Sequence, residues 1–387
     1  MDYKVYPAPL RGSIAAIPSK SDVHRLLICA ALSDAETEIY CPAVSEDILA
    51  TVRCLTSLGA EIQYKSGVFS VLPIKKVPEN PTLDCGESGS TLRFMLPVAA
   101  AISDSTTFVG RGRLPARPIG ELKSAMESHG ARFSAERLPF TVSGRMSGGV
   151  FTLPGNVSSQ YITGLLLALP LLGGGEVRLT TSLQSASYVE MTRRAMAKFG
   201  VRVDNLAASG AYRSPGRVIA EGDWSNAAFF IIAGAEVTGL DPASPQGDRV
   251  IYDNMAKLDR GETVDLTDTP DMLPALAIYA AMHCGGEFSG IERLRIKESD
   301  RILTVKSMIN SLGGAARDLG KRFSVESQPL TGGICECAND HRIAMAAAVG
   351  ASFGTEPSVI CGGECVNKSY PGFWDDFRLL GGRFDVL

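Results

Sequence analysis

Charge of one sign, metal-ligand spacing and long apolar runs are what this sequence lacks. Its 387 residues carry 38 basic and 42 acidic side chains, a formal net charge of −4. No broad cationic face is therefore expected for nucleic acid or for an anionic membrane. The longest apolar stretches, Tyr161–Leu172 and Ala275–Met282, fall short of the roughly 20 residues that span a bilayer. No charged segment leads into an apolar one at the start, so no signal peptide is expected. There are nine cysteines but no CxxC pair, and only four histidines. The tight pairs Cys335-Glu-Cys337 and Cys361-Gly-Gly-Glu-Cys365 lack the ligand spacing of a zinc site. No metal and reduced thiols are the expectation. Any strongly cationic site must be local.

What is present points to a folded chain with an internal repeat. Hydrophobic residues make up 45% and charged residues 21%, a globular composition, and the length suggests two or three domains. Helix ends of the form apolar-Gly followed by a strand occur at Leu58-Gly-Ala-Glu-Ile62, His129-Gly-Ala-Arg-Phe133 and Phe199-Gly-Val-Arg-Val203. Less clean copies are Leu312-Gly-Gly-Ala315 and Leu380-Gly-Gly-Arg-Phe384, and one near Met255–Leu258 is degenerate. Each glycine suits the left-handed position that closes a helix. The clean copies lie about 70 residues apart, room for several strands and two helices and longer than common solenoid periods. Two groups of such units make two similar lobes, with the crossing near Ile219–Trp224 and a ligand cleft between them. Periodicity does not assign the termini to a lobe.

Cations and hydroxyls recur at helix starts. Pro18-Ser-Lys-Ser-Asp-Val-His-Arg25 opens an apolar helix with Lys20, Ser21 and Arg25 on its first turns, where backbone N–H groups and the helix dipole attract an anion. Gly86-Glu-Ser-Gly89 precedes another helix, with Ser90 and Thr91 as candidate caps, and it is not a Walker A loop. Arg111-Gly-Arg-Leu-Pro-Ala-Arg117 carries three arginines in seven residues, and its prolines bias it to extended geometry. Ser158-Ser-Gln160 and Ser185-Ala-Ser-Tyr188 open two further helices. Asp271 stands at the start of an apolar helix. Lys297, Glu298, Asp300 and Arg301 read as one helical turn, with Lys297 and Arg301 on one face. Asn339-Asp-His-Arg342 opens a small-residue helix, and Lys368 lies in a turn. Each alone reads as an ordinary cap or a solvated face. Together, in an acidic chain, they suggest a cleft for two multiply charged small anions, with carboxylates left for proton transfer.

Ser19-Lys-Ser with Arg25, Arg117-Pro-Ile-Gly120, Lys297-Glu-Ser-Asp-Arg301 and Asn339-Asp-His-Arg342, in that order and spacing, resemble the motifs of the enolpyruvyl transferases. The match is to the branch that acts on shikimate 3-phosphate, and it runs from Pro18 to Pro371. The resemblance implies an α/β (α+β) fold of two similar lobes, each of three repeated βαβαββ units, with the active site in the interdomain cleft. It places residues 18–221 in one lobe, and 1–17 with 222–387 in the other. It implies transfer of the enolpyruvyl group of phosphoenolpyruvate to the 5-hydroxyl of shikimate 3-phosphate, in the shikimate pathway, without cofactor or metal. A cytoplasmic monomer with small-molecule substrates is the corresponding expectation.

By position, Lys20, Ser21, Arg25, Ser158, Ser159, Gln160, Ser185, Asp271 and Lys297 are implied to hold shikimate 3-phosphate. Lys20, Gly89, Arg117, Gln160, Arg301, Arg342 and Lys368 are implied to hold phosphoenolpyruvate, with Arg93 and Tyr188 supporting both sets. Asp271, Glu298, Lys20 and His341 are the implied catalytic group, Asp271 at the 5-hydroxyl and Glu298 at the methylene carbon. Two positions depart from the family. Glu87 stands where Asn is frequent, and a carboxylate aimed at phosphoenolpyruvate would repel it, so Glu87 is expected to face away or be neutralised. Arg293 replaces a common Asn. Gly89 matches forms inhibited by glyphosate. The sister enzyme acting on UDP-N-acetylglucosamine usually carries a cysteine in its arginine loop, and Arg111–Gly120 has none. A non-catalytic anion binder would have no use for both Asp271 and Glu298, and an RNA-phosphate cyclase is disfavoured by the acidic balance.

Overall fold

Every helix–glycine–strand signature in the sequence closes a helix in the structure, a computed structural model that describes Met1 to Leu387. Gly59, Gly130, Gly200, Gly313 and Gly381 all adopt positive φ, between 77° and 104°, the conformation an L side chain resists. The polypeptide divides into two compact units, Pro18–Glu221, and Met1–Ile17 with Gly222–Leu387.

In the first unit three four-stranded sheets share one plan. A parallel pair is extended by two antiparallel strands, as in Arg217–Ile219, Thr37–Tyr40, Val68–Leu72 and Glu61–Lys65. The second sheet runs Thr82–Asp84, Ser105–Val109, Phe140–Ser143, Arg132–Phe133. The third runs Gly149–Leu153, Gly175–Leu179, Ala207–Ala208, Val203–Asp204. The helices Lys20–Ala31, Gly89–Ile102 and Ser159–Ala168 are buried on almost every face, the last two as their nearly continuous apolar text requires, the first with Asp22, His24 and Arg25 buried in its opening turns. Gly164 lets two of them approach closely, since a Cβ there would fall 2.3 Å from the Arg93 carbonyl oxygen. These three are the helices whose first turns carry the candidate residues.

The second unit repeats the plan with one loss. Ile334–Glu336 and Ser358–Cys361 are parallel, and Tyr3–Tyr6 and Arg383–Val386 complete that sheet antiparallel, so the N-terminal strand sits between two C-terminal ones. Val264–Asp265, Gly286–Ser289, Phe323–Glu326 and Ala315–Asp318 form the second sheet. The third has only the parallel pair Ser13–Ala15 and Glu236–Thr238. Here lies the degenerate copy. The helix Ile251–Asp259 still ends on a left-handed Gly261, but the next strand, Val264–Asp265, already belongs to another sheet. No hairpin follows to fill the two vacant places. Trp224–Ile231, Leu273–Met282 and His341–Ser352 are the buried helices of this unit. No helix of the chain is long and apolar enough to cross a membrane.

Local readings needed correction at three places. Lys297 is extended (φ −82°, ψ −157°), and the helix begins only at Arg301, capped by Asp300. Lys297–Arg301 is therefore a turn and not a helical face, because Asp300 bonds the Leu303 amide and fixes the helix start behind it. The cap of the Gly89 helix is Ser88, whose hydroxyl accepts from Thr91 N–H, and not Ser90 or Thr91. The arginine loop is only partly extended, with a 3-10 turn over Leu114–Ala116 that accepts Pro115 at its start. Arg117, which precedes Pro118, is extended (φ −78°, ψ 136°), as the proline ring demands.

Candidate active site

In the unit of residues 18–221, cations gather at the starts of the three buried helices. Lys20 pairs with Asp47 at 3.0 Å, both side chains largely buried. Arg25 is 2% exposed. Its Nε donates to Thr192 Oγ1 at 2.9 Å, Nη2 to the Tyr188 carbonyl at 2.9 Å and Nη1 to the Ser21 carbonyl at 2.5 Å. The guanidinium also lies over the Phe94 ring, 5.1 Å from its centroid. Burial lowers Arg25 to about 10, against the pull of Asp22, so it remains a cation at neutral pH. Its anchorage to Tyr188 joins the Lys20 helix to the Ala186–Lys198 helix beside Ser185, itself buried and left-handed at φ 55°.

A second set of contacts joins the Ser159 helix to the arginine loop. Arg93 donates to Gln160 Oε1 at 2.6 Å and to the Pro118 carbonyl at 3.1 Å. Gln160 Nε2 donates to Ser90 Oγ at 2.9 Å, and Tyr161 OH donates to the Pro118 carbonyl at 2.6 Å. Pro118 is thus held by two donors next to Arg117. The Arg117 guanidinium covers Gly89, where a Cβ would fall 2.4 Å from Nη1. Ser158 caps its helix by accepting from Gln160 N–H, and Ser159 is buried behind it. Lys20, Arg25, Gly89, Arg93, Arg117 and Gln160 are therefore linked through the starts of neighbouring helices, whose dipoles add to the positive potential.

In the other unit, Arg301 is a hub. Its guanidinium is wholly buried and meets three carboxylates: Nη1–Asp271 Oδ1 at 2.6 Å, Nη2–Glu298 Oε2 at 2.7 Å and Nε–Asp340 Oδ2 at 3.2 Å. Lys297 reaches Asp271 Oδ1 at 3.5 Å, and Arg342 reaches Asp271 Oδ2 at 3.3 Å and donates to Ser225 Oγ at 2.7 Å. Three cations and three carboxylates thus balance in a largely dry cluster. Burial would raise Asp271, but Arg342, Lys297 and Arg301 together hold its carboxyl well below the usual range. Burial lowers Lys297, partly opposed by Asp271. Burial works against the Arg301 charge too, yet Asp340, Glu298 and Asp271 outweigh it and raise its pKa. Asp248 is lifted to about 6 by burial and by Asp271, while Arg342 and Ser225 oppose the rise.

Asp340 positions this hub twice over. It caps the His341 helix through the Arg342 amide, and its other oxygen accepts from Ser299 Oγ at 2.9 Å as well as from Arg301. Ala338 and Asn339, both left-handed, turn the chain immediately before it. Lys368, at the end of the Gly363–Lys368 turn, donates to the Asn339 carbonyl at 2.9 Å. His341 is buried in the same first turn as Arg342. Arg301, expected as an anion ligand, has its three nitrogens turned to carboxylates. Arg293 donates to the Thr267 carbonyl at 2.5 Å. Asp340, Asp248, Ser225, Asp47 and Thr192 were not foreseen as parts of the site. Only Asp340, inside a quoted motif, carried a readable signal.

No cluster of three or more His, Cys, Asp or Glu able to hold a metal is present. The arrangement suits anionic substrates and proton transfer: Lys20, Arg301 and Arg342 stand in the first turns of helices, and three carboxylates share one guanidinium. Comparison with known proteins bears on this directly. A family model described as EPSP synthase (3-phosphoshikimate 1-carboxyvinyltransferase) matches residues 5–259 and 234–377. A 3-phosphoshikimate 1-carboxyvinyltransferase of Clostridium novyi is 38% identical over 425 aligned positions, covering 99% of this chain and 98% of its own. That of Clostridium kluyveri is 39% identical over 420 positions, covering 98% and 97%. The solved EPSP synthase of Acinetobacter baumannii shares the fold at a TM-score of 0.81 and 21% identity, with 100% of both chains covered.

Proposed function

The chain belongs to the EPSP synthase family, and from that premise we propose that it transfers the enolpyruvyl group of phosphoenolpyruvate to the 5-hydroxyl of shikimate 3-phosphate, using Asp271 and Glu298 for proton transfer. The single observation that carries the residue assignment is the hub: one buried guanidinium, Arg301, holds Asp271 at 2.6 Å and Glu298 at 2.7 Å. Two carboxylates are thereby fixed close together without either being lost to solvent.

The 5-oxygen attacks C2 of phosphoenolpyruvate while its proton passes toward Asp271. Glu298 donates a proton to C3, which turns the methylene into a methyl group and gives a tetrahedral intermediate. Loss of a proton from that methyl and departure of phosphate restore the C2–C3 double bond as a vinyl ether. Held low by three cations, Asp271 is a good acceptor for the hydroxyl's hydrogen bond but a weak base on its own. Substrate anions that engage Lys297 and Arg342 would weaken that hold and make Asp271 more basic. The same competition at Arg301 would free Glu298 to take up the proton it must give.

Lys20, Ser21, Arg25, Ser158, Ser159, Gln160, Ser185 and Lys297 hold shikimate 3-phosphate in this reading, with Asp271. Lys20, Gly89, Arg117, Gln160, Arg301, Arg342 and Lys368 serve phosphoenolpyruvate, and His341 supports the first turn beside Arg342. Gathering both substrates supplies up to roughly 7–11 kcal/mol of the barrier, and placed acid–base groups contribute about 10²–10⁴-fold. The protein is proposed to work as a cytoplasmic monomer without a cofactor. Phosphate release from phosphoenolpyruvate tests the reading. Release is expected with shikimate 3-phosphate and not with UDP-N-acetylglucosamine, and the reverse preference, or none, would overturn it.

A further inference from the structure

Three contacts, the first two in register, join the Asp84–Ser90 turn to the arginine loop. The Arg111 amide donates to the Gly86 carbonyl at 2.8 Å. One residue on in each segment, Glu87 rests its carboxylate on Gly112: a Cβ built there would fall 2.5 Å from Cδ and Oε1 and 3.0 Å from Oε2. Further along both segments, the Arg117 guanidinium covers Gly89. Gly112 has φ +60°, so the turn calls for glycine both for its backbone and for the seat it offers the carboxylate. Nothing larger fits while Glu87 lies there.

We infer that Glu87 is a positioning residue for phosphoenolpyruvate: seated on Gly112, it holds the arginine loop at the depth that lays Arg117 over Gly89. Charge favours the seat. Arg111, Arg113 and Arg117 fall within seven residues, and Arg53 Nη2 and Arg111 Nη2 lie 3.4 and 4.0 Å from the Cβ position of Gly86. One carboxylate at the turn offsets this crowding of like charges. The negative charge of Glu87 is thus applied to the loop, where it helps, and not to the substrate anion, which it would repel. Arg117 touches the ligand in the functional reading above, on which this inference rests, and Glu87 acts through it.

The test is steady-state kinetics with both substrates on Glu87→Ala, Glu87→Gln and Gly112→Ala. Truncating Glu87 to alanine, or filling its seat, is expected to raise KM for phosphoenolpyruvate roughly tenfold or more, the scale of a displaced charge-assisted contact. Inhibition by glyphosate should weaken by the same factor, with KM for shikimate 3-phosphate within about twofold of wild type. Glu87→Gln, which keeps the shape and an acceptor but not the charge, should recover only part of the loss. The double variant Glu87→Ala/Gly112→Ala should be no worse than the poorer single one, because both break one contact. An unchanged KM for phosphoenolpyruvate in Glu87→Ala overturns the inference, as does a parallel rise in both KM values or full additivity in the double variant. Should Gly112→Ala not fold, the two Glu87 variants decide alone. A wild-type chain that releases no phosphate would instead overturn the functional reading.

Discussion

Gly89→Ala isolates the anion site at a single methyl group. The new Cβ would stand 2.4 Å from Arg117 Nη1, 2.7 Å from Cζ and 2.9 Å from Nη2, whereas ordinary contact begins near 3.4 Å. The guanidinium must therefore retreat by the difference, about 1 Å, a displacement on the scale that costs up to roughly 10²-fold when it misplaces a substrate group. Losing one well-aligned charged hydrogen bond costs about 1.5–3 kcal/mol, which corresponds to roughly ten- to hundredfold in binding. The helix itself gains slightly, since alanine is the better helix former and Gly89 lies in the helix's first turn. Phosphate release against phosphoenolpyruvate, at saturating shikimate 3-phosphate, should show KM raised roughly ten- to hundredfold. Glyphosate should lose potency in step. The melting temperature should be unchanged or slightly higher. A KM within about twofold of wild type would refute the reasoning, because the Arg117 guanidinium would then not be a ligand of phosphoenolpyruvate.

Arg301→Met leaves Asp271, Glu298 and Asp340 without their shared cation, and a loss of about 3–5 kcal/mol is expected in denaturant unfolding at neutral pH. The deficit should shrink on acidification as the carboxylates take up protons. Arg25→Lys keeps the charge but loses the fork that reaches both Thr192 and Tyr188. Calorimetric titration should show shikimate 3-phosphate bound at least about tenfold more weakly. Asp248 has a folded pKa of about 6 against 3.8 for the ordinary carboxyl, so the folded protein favours its proton. Its contribution to stability is fully present below the unfolded value and is lost as pH rises through about 6, at a cost on the order of 3 kcal/mol. The melting temperature of Asp248→Asn relative to wild type should therefore climb between about pH 4 and pH 7, and a difference that is flat with pH would contradict the assignment.

The repeat was legible because it is written in local chemistry. Gly59, Gly130 and Gly200 are followed by strands, and each needs a backbone conformation that other residues avoid, so the signal survives without tertiary context. The apolar runs inside the three buried helices were equally plain. The hub was not. Asp340 lies 39 positions from Arg301, and nothing local says that Lys297, in an extended turn, should meet Asp271. A helical reading of Lys297–Arg301 grouped the right residues for the wrong reason, since a turn brings them to Asp271 and not a shared helix face. The seat of Glu87 was hidden likewise, because it depends on two loops coming into register. The lost hairpin after Ile251–Asp259 could be suspected from the degenerate repeat, yet only the sheet order shows which strands are gone.

Turnover in deuterium oxide, followed by proton NMR of the product, tests the central claim most directly. If Glu298 protonates C3 and a proton then leaves the resulting methyl group, solvent deuterium must enter the vinyl methylene of the product. Glu298→Gln should abolish both the label and phosphate release by orders of magnitude while shikimate 3-phosphate still binds. A product whose vinyl methylene carries no deuterium, formed at the wild-type rate, would mean that the double bond is never saturated and that Glu298 is not the acid.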